Sequence, residues 1–178
     1  MAQTFAAVAG ASVLLFAAPT LAEPTHRPGG FTTSNTVEVA APPARVWAAL
    51  LEPGRWWNGQ HSWSGSAANL SLEPRAGGCF CERLADGGSA MHGQVSMAQP
   101  NRMLRLNAWL GPLMATGVTG AMTWSLEPAG AGSRVTLTYA VGGLPDDQAR
   151  AMMAPVDGVQ RDWLERLDRY VETGSPEA

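Results

Sequence analysis

Glu82 is the acidic residue whose position most favours acid or base chemistry. It alternates with Phe80 and Leu84 in a segment with the pattern of a strand, so the three side chains leave the same face. A carboxyl group on an apolar inner face has a raised pKa, which suits proton transfer. The alternative is an ordinary ion pair with Arg102 or Arg105 at the edge of a sheet. Glu82 is therefore a candidate catalytic residue with a structural alternative.

His92 is the second candidate for proton transfer, because histidine titrates close to neutral pH. In the next predicted strand it shares a face with Gln94 and Ser96, while Gly93, Val95 and Met97 share the other. That alternation places His92 on the polar side, which favours a solvent-facing or structural histidine over a general base.

The two cysteines, Cys79 and Cys81, lie two positions apart in the same predicted strand as Glu82. A regular strand separates such Cα atoms by about 6.5 to 7 Å, at or past the limit for a disulfide. A structural zinc site needs four ligands, and no further ligand lies near in the sequence. We expect two separate thiols and no metal. Nucleophile, phosphate-loop and dinucleotide motifs do not occur in the sequence, so no cofactor is predicted.

Large apolar side chains are abundant, with seven tryptophans and eight methionines. Strand alternation and helical spacing place many of them on inner faces, where they either line a pocket for an apolar ligand or fill an ordinary core. The candidate ligand-binding residues are Trp57, Trp63, Phe80, Leu106, Met122, Trp124, Leu137, Tyr139, Met153, Val159 and Trp163.

The connection formed by residues 55–65 combines three tryptophans and His61 with small polar residues. Loops of this composition often carry function. We expect it at the mouth of the pocket, where its rings gate entry, or packed as a plug that closes one end of the sheet.

Short strands separated by strong turn signals must position these residues. A first strand at 36–39 and a helix at 43–51 precede six antiparallel strands, and turn residues such as Pro, Gly, Asn and Asp separate them. The predicted strands are 70–73, 78–84, 90–98, 103–110, 118–127 and 134–141.

A long amphipathic helix is predicted over residues 157–171. Its apolar residues recur every three or four positions, Asp157 is a plausible N-cap and Gly174 a plausible stop. A separate short helix is expected at 146–153.

Composition and the first residues limit the class of protein. The net charge is −3 and the sequence contains no lysine, which argues against a nucleic-acid partner. Residues 5–18 form an apolar run too short to span a bilayer. We therefore predict a signal peptide at 1–22, a flexible leader at 23–30, one domain at 31–174 and a tail at 175–178. The mature protein would be periplasmic or secreted, with no membrane span.

The order of elements and four local motifs resemble the START-like, polyketide cyclase/dehydrase superfamily. The motifs lie at 39–47, 72–80, 100–104 and 123–128, and the last two are most similar to the branch of the heat-shock ATPase activators. The resemblance covers residues 34–172. It implies an α+β helix-grip fold in which about seven antiparallel strands wrap around the C-terminal helix and enclose an apolar cavity.

Three functions are compatible with this resemblance. The first is a carrier that holds a lipid, sterol or polyketide-like molecule in the cavity. The second is a cyclase or dehydratase in which Glu82 or His92 transfers a proton. The third is a protein-interaction module of the heat-shock ATPase activator type, which export would disfavour because that partner is cytosolic. Fold alone does not choose among them, because function resides in the cavity residues.

Overall fold

The computed structural model describes residues 22–177, so the predicted signal peptide lies outside them except for its last residue. The described residues form one antiparallel sheet and three α-helices. In chain order the elements are β1 (Thr25–Arg27), β2 (Gly30–Val39), α1 (Pro43–Leu50), α2 (Pro53–Trp56), β3 (Leu70–Leu72), β4 (Cys79–Arg83), β5 (Ser89–Gln99), β6 (Met103–Ala108), β7 (Thr119–Ala129), β8 (Gly132–Gly142) and α3 (Asp146–Thr173).

The eight strands follow the order β1, β2, β8, β7, β6, β5, β4, β3, and every neighbouring pair is antiparallel. Because β2 pairs with β8, the first long strand lies beside the last, and the curved sheet covers α3 on one face. The predicted α+β helix-grip fold is confirmed.

Alternation places the core on one face of the sheet. Val135, Leu137, Tyr139 and Val141 of β8 are all buried, as their spacing predicts. The segment 23–30, expected to be a flexible leader, contains β1, which pairs with β2. The guanidinium of Arg27 also donates to the carbonyl of Val141 at 3.1 Å. The sheet therefore begins before Phe31.

Strand β5 departs from regular alternation at two points. The register against β4 shifts so that His92 is an extra residue, and the register against β6 shifts so that Ser96 is another. The predicted faces of His92 and Met97 are therefore wrong: His92 is buried and Met97 is 39% exposed. A period of two in the sequence cannot reveal an inserted residue.

The expectation of two separate thiols is also wrong. Cys79 and Cys81 form a disulfide, with their Cα atoms 5.4 Å apart. The register shifts between Phe80 and Cys81 because His92 is the extra residue of β5 opposite them. The Cα atoms of the two cysteines lie closer than in a regular strand, within the range that a disulfide spans.

Helix α3 begins at Asp146 and is continuous to Thr173, so the predicted break before Asp157 is wrong. The helix continues through Pro155, although an interior proline removes one backbone hydrogen bond of a helix. Gly174 ends the helix with a φ of 80°, as predicted.

Asp157 is a buried residue in the middle of α3 and not a cap. Its Oδ1 accepts a hydrogen bond from Asn35 Nδ2 at 2.9 Å, and its Oδ2 accepts one from Arg161 at 2.6 Å. One turn along, Thr33 Oγ1 donates to Gln160 Oε1 at 2.6 Å. These polar contacts fix the position of α3 along β2, because a shifted helix would leave buried polar groups without partners.

No helix among the described residues is both long enough and apolar enough to cross a membrane.

Candidate functional site

A cavity of about 400 Å³ lies between the sheet and residues 151–163 of α3. This volume falls near the lower end of the range of about 300 to 1,000 Å³ that small-molecule pockets occupy. Its walls are mostly apolar and come from the 57–63 loop, the 110–113 turn, β5, β8 and α3. The lining residues are Trp57, Gln60, His61, Ser62, Trp63, His92, Leu110, Gly111, Pro112, Leu113, Tyr139, Ala151, Met152, Pro155, Val156, Val159 and Trp163.

Buried aromatic rings form the floor of the cavity. The rings of Trp57 and Trp163 are stacked, with centroids 3.9 Å apart and planes 30° apart. Phe80 supports Trp57 from below with a centroid distance of 5.2 Å, and it lies 5.3 Å from the His92 ring. Because these side chains support one another, the floor is a rigid surface that an apolar ring can cover.

Exposed residues mark the mouth. Gln60, His61 and Trp63 stand on one side and Ala151 and Pro155 of α3 on the other. Trp63 is 54% exposed although it lines the cavity. This arrangement agrees with the expected position of the tryptophan-rich loop at the entrance. Gating by its rings stays a prediction.

Glu82 and His92 meet at the inner end of the cavity. Glu82 points inward because it keeps the alternation of β4, and His92 points inward because it is the extra residue of β5. Nε2 of His92 lies 2.8 Å from Oε2 of Glu82, and their side chains are 5% and 0% exposed. Gly93 permits the bulge, since a Cβ there would lie 2.8 Å from the carbonyl oxygen of Asn107.

Glu82 also holds the tryptophan-rich loop. Its Oε1 accepts the backbone N–H of Ser64 at 2.6 Å, and its Oε2 accepts that of Trp63 at 3.0 Å. Burial raises the pKa of the Glu82 carboxyl, but hydrogen bonds from Ser64, Trp63 and His92 outweigh burial, so the pKa lies below its ordinary value. The expected raised pKa, and the expected pairing with Arg102 or Arg105, are therefore wrong.

The Glu82 carboxylate is enclosed and is not part of the cavity wall, whereas His92 is. A molecule in the cavity would meet the imidazole and not the carboxylate. Any role of Glu82 in chemistry would thus be to position His92.

Tyr139 contributes a ring to the floor, but its hydroxyl already has a partner. The O–H donates to the carbonyl of Ala108 at 3.0 Å. Burial raises the pKa of Tyr139 above its ordinary value, so the group stays protonated. It therefore serves the cavity as an apolar surface.

The structure brings five of the predicted ligand-binding residues to the cavity wall: Trp57, Trp63, Tyr139, Val159 and Trp163. The other six pack in or against the core outside the lining: Phe80, Leu106, Met122, Trp124, Leu137 and Met153. Ligand contact by any of the eleven stays a prediction. The cavity lining also includes the 110–113 turn and residues 151, 152, 155 and 156 of α3, which were not predicted. Turn signals and a predicted helix break gave no indication that these segments line a cavity.

Among residues 22–177 no group of three His, Cys, Asp or Glu side chains is placed to hold a metal ion.

Comparison with protein families gives one match over most of the chain. The model of the family described as polyketide cyclase / dehydrase and lipid transport matches residues 31–172. Comparison with curated proteins gave no match.

Three solved structures with the same fold are similar to this chain at 16 to 21% sequence identity. DynU16, from the dynemicin biosynthetic locus, is 21% identical with a TM-score of 0.60; the match covers 82% of this chain but 48% of that one. CalU16 from Micromonospora echinospora is 18% identical, covers 89% and 88%, and has a TM-score of 0.58. The Aha1 dimer from Colwellia psychrerythraea is 16% identical, covers 80% and 97%, and has a TM-score of 0.58. These likenesses show the fold alone.

Replacing Glu82 with Gln should destabilise the protein by about 1 to 3 kcal/mol, measured by urea denaturation at pH 7. Whichever way the amide is turned, its NH2 group faces a backbone N–H of Trp63 or Ser64, which leaves a buried donor unpaired. Glu73→Gln is the control, since Glu73 forms only an exposed pair with Arg75 and should change stability by less than about 0.5 kcal/mol.

The difference in the free energy of unfolding between wild type and Glu82→Gln should also depend on pH. A carboxyl whose folded-state pKa lies below its unfolded value stabilises the fold above that unfolded value. This stabilisation is lost as the pH falls through the folded-state pKa. The difference in the free energy of unfolding between wild type and variant should therefore become smaller below about pH 4.5. A gap that widens in acid would contradict this assignment.

Proposed function

Because the chain belongs to the polyketide cyclase / dehydrase and lipid transport family, we propose that it is a carrier that holds an apolar small molecule in the cavity between its sheet and α3. The observation that carries the proposal is the cavity itself, about 400 Å³ in volume with the stacked Trp57 and Trp163 rings at its floor. The ligand is a lipid, sterol or polyketide-like molecule.

The size of the cavity favours compact ring systems. An apolar cavity of about 150 Å³ accommodates one benzene ring, so this volume encloses about two or three rings, and the remainder of a larger ligand such as a sterol would lie in the open mouth. Burial of the ligand's apolar surface supplies the driving force, and the floor loses little entropy because its rings are already packed.

Binding of the uncharged dye N-phenyl-1-naphthylamine tests the carrier function. We expect saturable binding by the wild-type protein with a Kd in about the micromolar range, accompanied by quenching of tryptophan fluorescence. Ala151→Trp places a large ring in the mouth and should weaken binding at least about tenfold. Ala154→Trp is the matched control, because Ala154 is also exposed on α3 but does not line the cavity.

Two results would count against the carrier. One is the absence of saturable dye binding by folded wild-type protein. The other is an equal loss of binding in the Ala151 and Ala154 variants, which would place the dye elsewhere.

An extracytoplasmic location is part of the proposal. The apolar run at 5–18 supports a signal peptide, and the Cys79–Cys81 disulfide supports an oxidising compartment, because disulfides rarely persist in the cytosol. The exported protein should begin at Glu23 when its N-terminus is sequenced. Recovery of exported protein that still begins at Met1 would contradict cleavage.

A cyclase or dehydratase is the second candidate, and the contact between Glu82 and His92 at the cavity wall favours it. A base in this position takes a proton from the carbon beside a ketone and returns it to a departing hydroxyl, as dehydration in ring formation requires. His92 would contact the substrate, and Glu82 would position it.

Hydrogen–deuterium exchange at C2 of α-tetralone, a two-ring ketone, tests this second candidate. In D2O the wild-type protein should accelerate exchange at least about tenfold over buffer, and His92→Phe should abolish the acceleration while retaining dye binding. His61→Phe is the control, since His61 lines the same cavity at its exposed mouth. If the wild-type protein did not accelerate exchange above the rate in buffer, the cyclase or dehydratase function would be contradicted and the carrier function would not be affected.

A further inference from the structure

The donors around Glu82 determine which nitrogen of His92 carries the proton. The carboxylate already accepts two backbone N–H groups, from Ser64 and Trp63, and these can only donate. They hold Glu82 in its acceptor form, so the contact of 2.8 Å with His92 requires Nε2 to donate. In the neutral ring Nδ1 is then unprotonated and offers a lone pair.

Nδ1 of His92 is available to a ligand. Within the described residues Nδ1 has no hydrogen-bond partner. The protein does not enclose it completely, because it is absent from the set of fully buried polar atoms without a partner. The other polar groups on the buried floor are not available. The hydroxyl of Tyr139 donates to Ala108, and Nε1 of Trp163 lacks a partner but is sealed from solvent.

We propose that Nδ1 of His92 is the polar recognition point of the cavity, and that it selects apolar ring compounds carrying a hydroxyl, phenol or enol O–H. Glu82 acts as a positioning residue that fixes the tautomer. This inference rests on the proposed binding function, whether or not a reaction follows.

The selectivity follows from hydrogen-bond chemistry. An acceptor covered by an apolar ligand loses its contact with water, and only a ligand that donates a hydrogen bond compensates for that loss. A site with such an acceptor therefore binds the same ring less tightly when the ring lacks an O–H. The loss of affinity is larger than the contribution of one solvent-exposed hydrogen bond.

A pair of probes that differ only in the donor tests the inference. 2-Naphthol presents an O–H, and 2-methoxynaphthalene presents an oxygen that only accepts. Wild-type protein should bind 2-naphthol at least about tenfold more tightly, as measured by quenching of tryptophan fluorescence.

The His92→Phe variant should lose this preference. It keeps a ring of similar shape, so its affinity for 2-methoxynaphthalene should stay within about threefold of wild type while its affinity for 2-naphthol falls to the same level. His26→Phe, the same substitution at a histidine outside the cavity lining, should keep the tenfold ratio.

A measurement on the wild-type protein keeps the inference testable if His92→Phe does not fold. A long-range ¹H–¹⁵N spectrum should show protonated Nε2 and unprotonated Nδ1 for His92. Its Nδ1 resonance should move on addition of 2-naphthol and not on addition of 2-methoxynaphthalene.

The outcomes separate this inference from the binding function. Three results would contradict recognition by Nδ1 without contradicting the carrier function. They are equal affinity of wild type for the two probes, a preference for 2-naphthol that His92→Phe retains, and a proton on Nδ1. Failure of wild type to bind either probe or the dye would overturn the carrier itself.

Discussion

The carboxylate of Glu82 accepts hydrogen bonds from two parts of the chain that are distant in sequence. The backbone of Trp63 and Ser64 approaches from the loop, and the imidazole of His92 approaches from β5. Removal of a carboxylate from water is unfavourable unless such donors replace its hydration. The N–H groups of Trp63 and Ser64 and Nε2 of His92 all reach the carboxylate only in one arrangement. The buried charge of Glu82 therefore fixes both the loop at the mouth of the cavity and the orientation of the His92 ring.

The cavity depends on irregularities in the strands beside that charge. A regular β5 would turn His92 to solvent, and the absence of a Cβ at Gly93 lets the bulged strand approach β6 closely. Bulges often re-aim a side chain toward a functional site. In this protein a bulge places the His92 imidazole among the aromatic rings that line the buried floor.

Helix α3 contributes to the fold and the site through different parts of its length. Asp157 and Gln160 bind β2 through buried hydrogen bonds, which sets the helix along the sheet. Ala151, Met152 and Val156 precede them and face the cavity. Because the polar contacts fix the register, the apolar residues that precede them in α3 line a space instead of filling it.

The sequence by itself determined the apolar face of β8, the end of α3 at Gly174 and the inward direction of Glu82, because each follows from a local period or a local cap. Its order of elements and motifs indicated the fold class through a family resemblance. The tertiary structure decided that His92 turns inward, that Cys79 and Cys81 join, and that Asp157 is buried in a continuous helix. Each of these outcomes depends on a neighbouring strand or helix that is distant in sequence. The alternation of residues within β5 does not specify its register against β4 and β6. The inward position of His92 therefore depends on how the three strands pair.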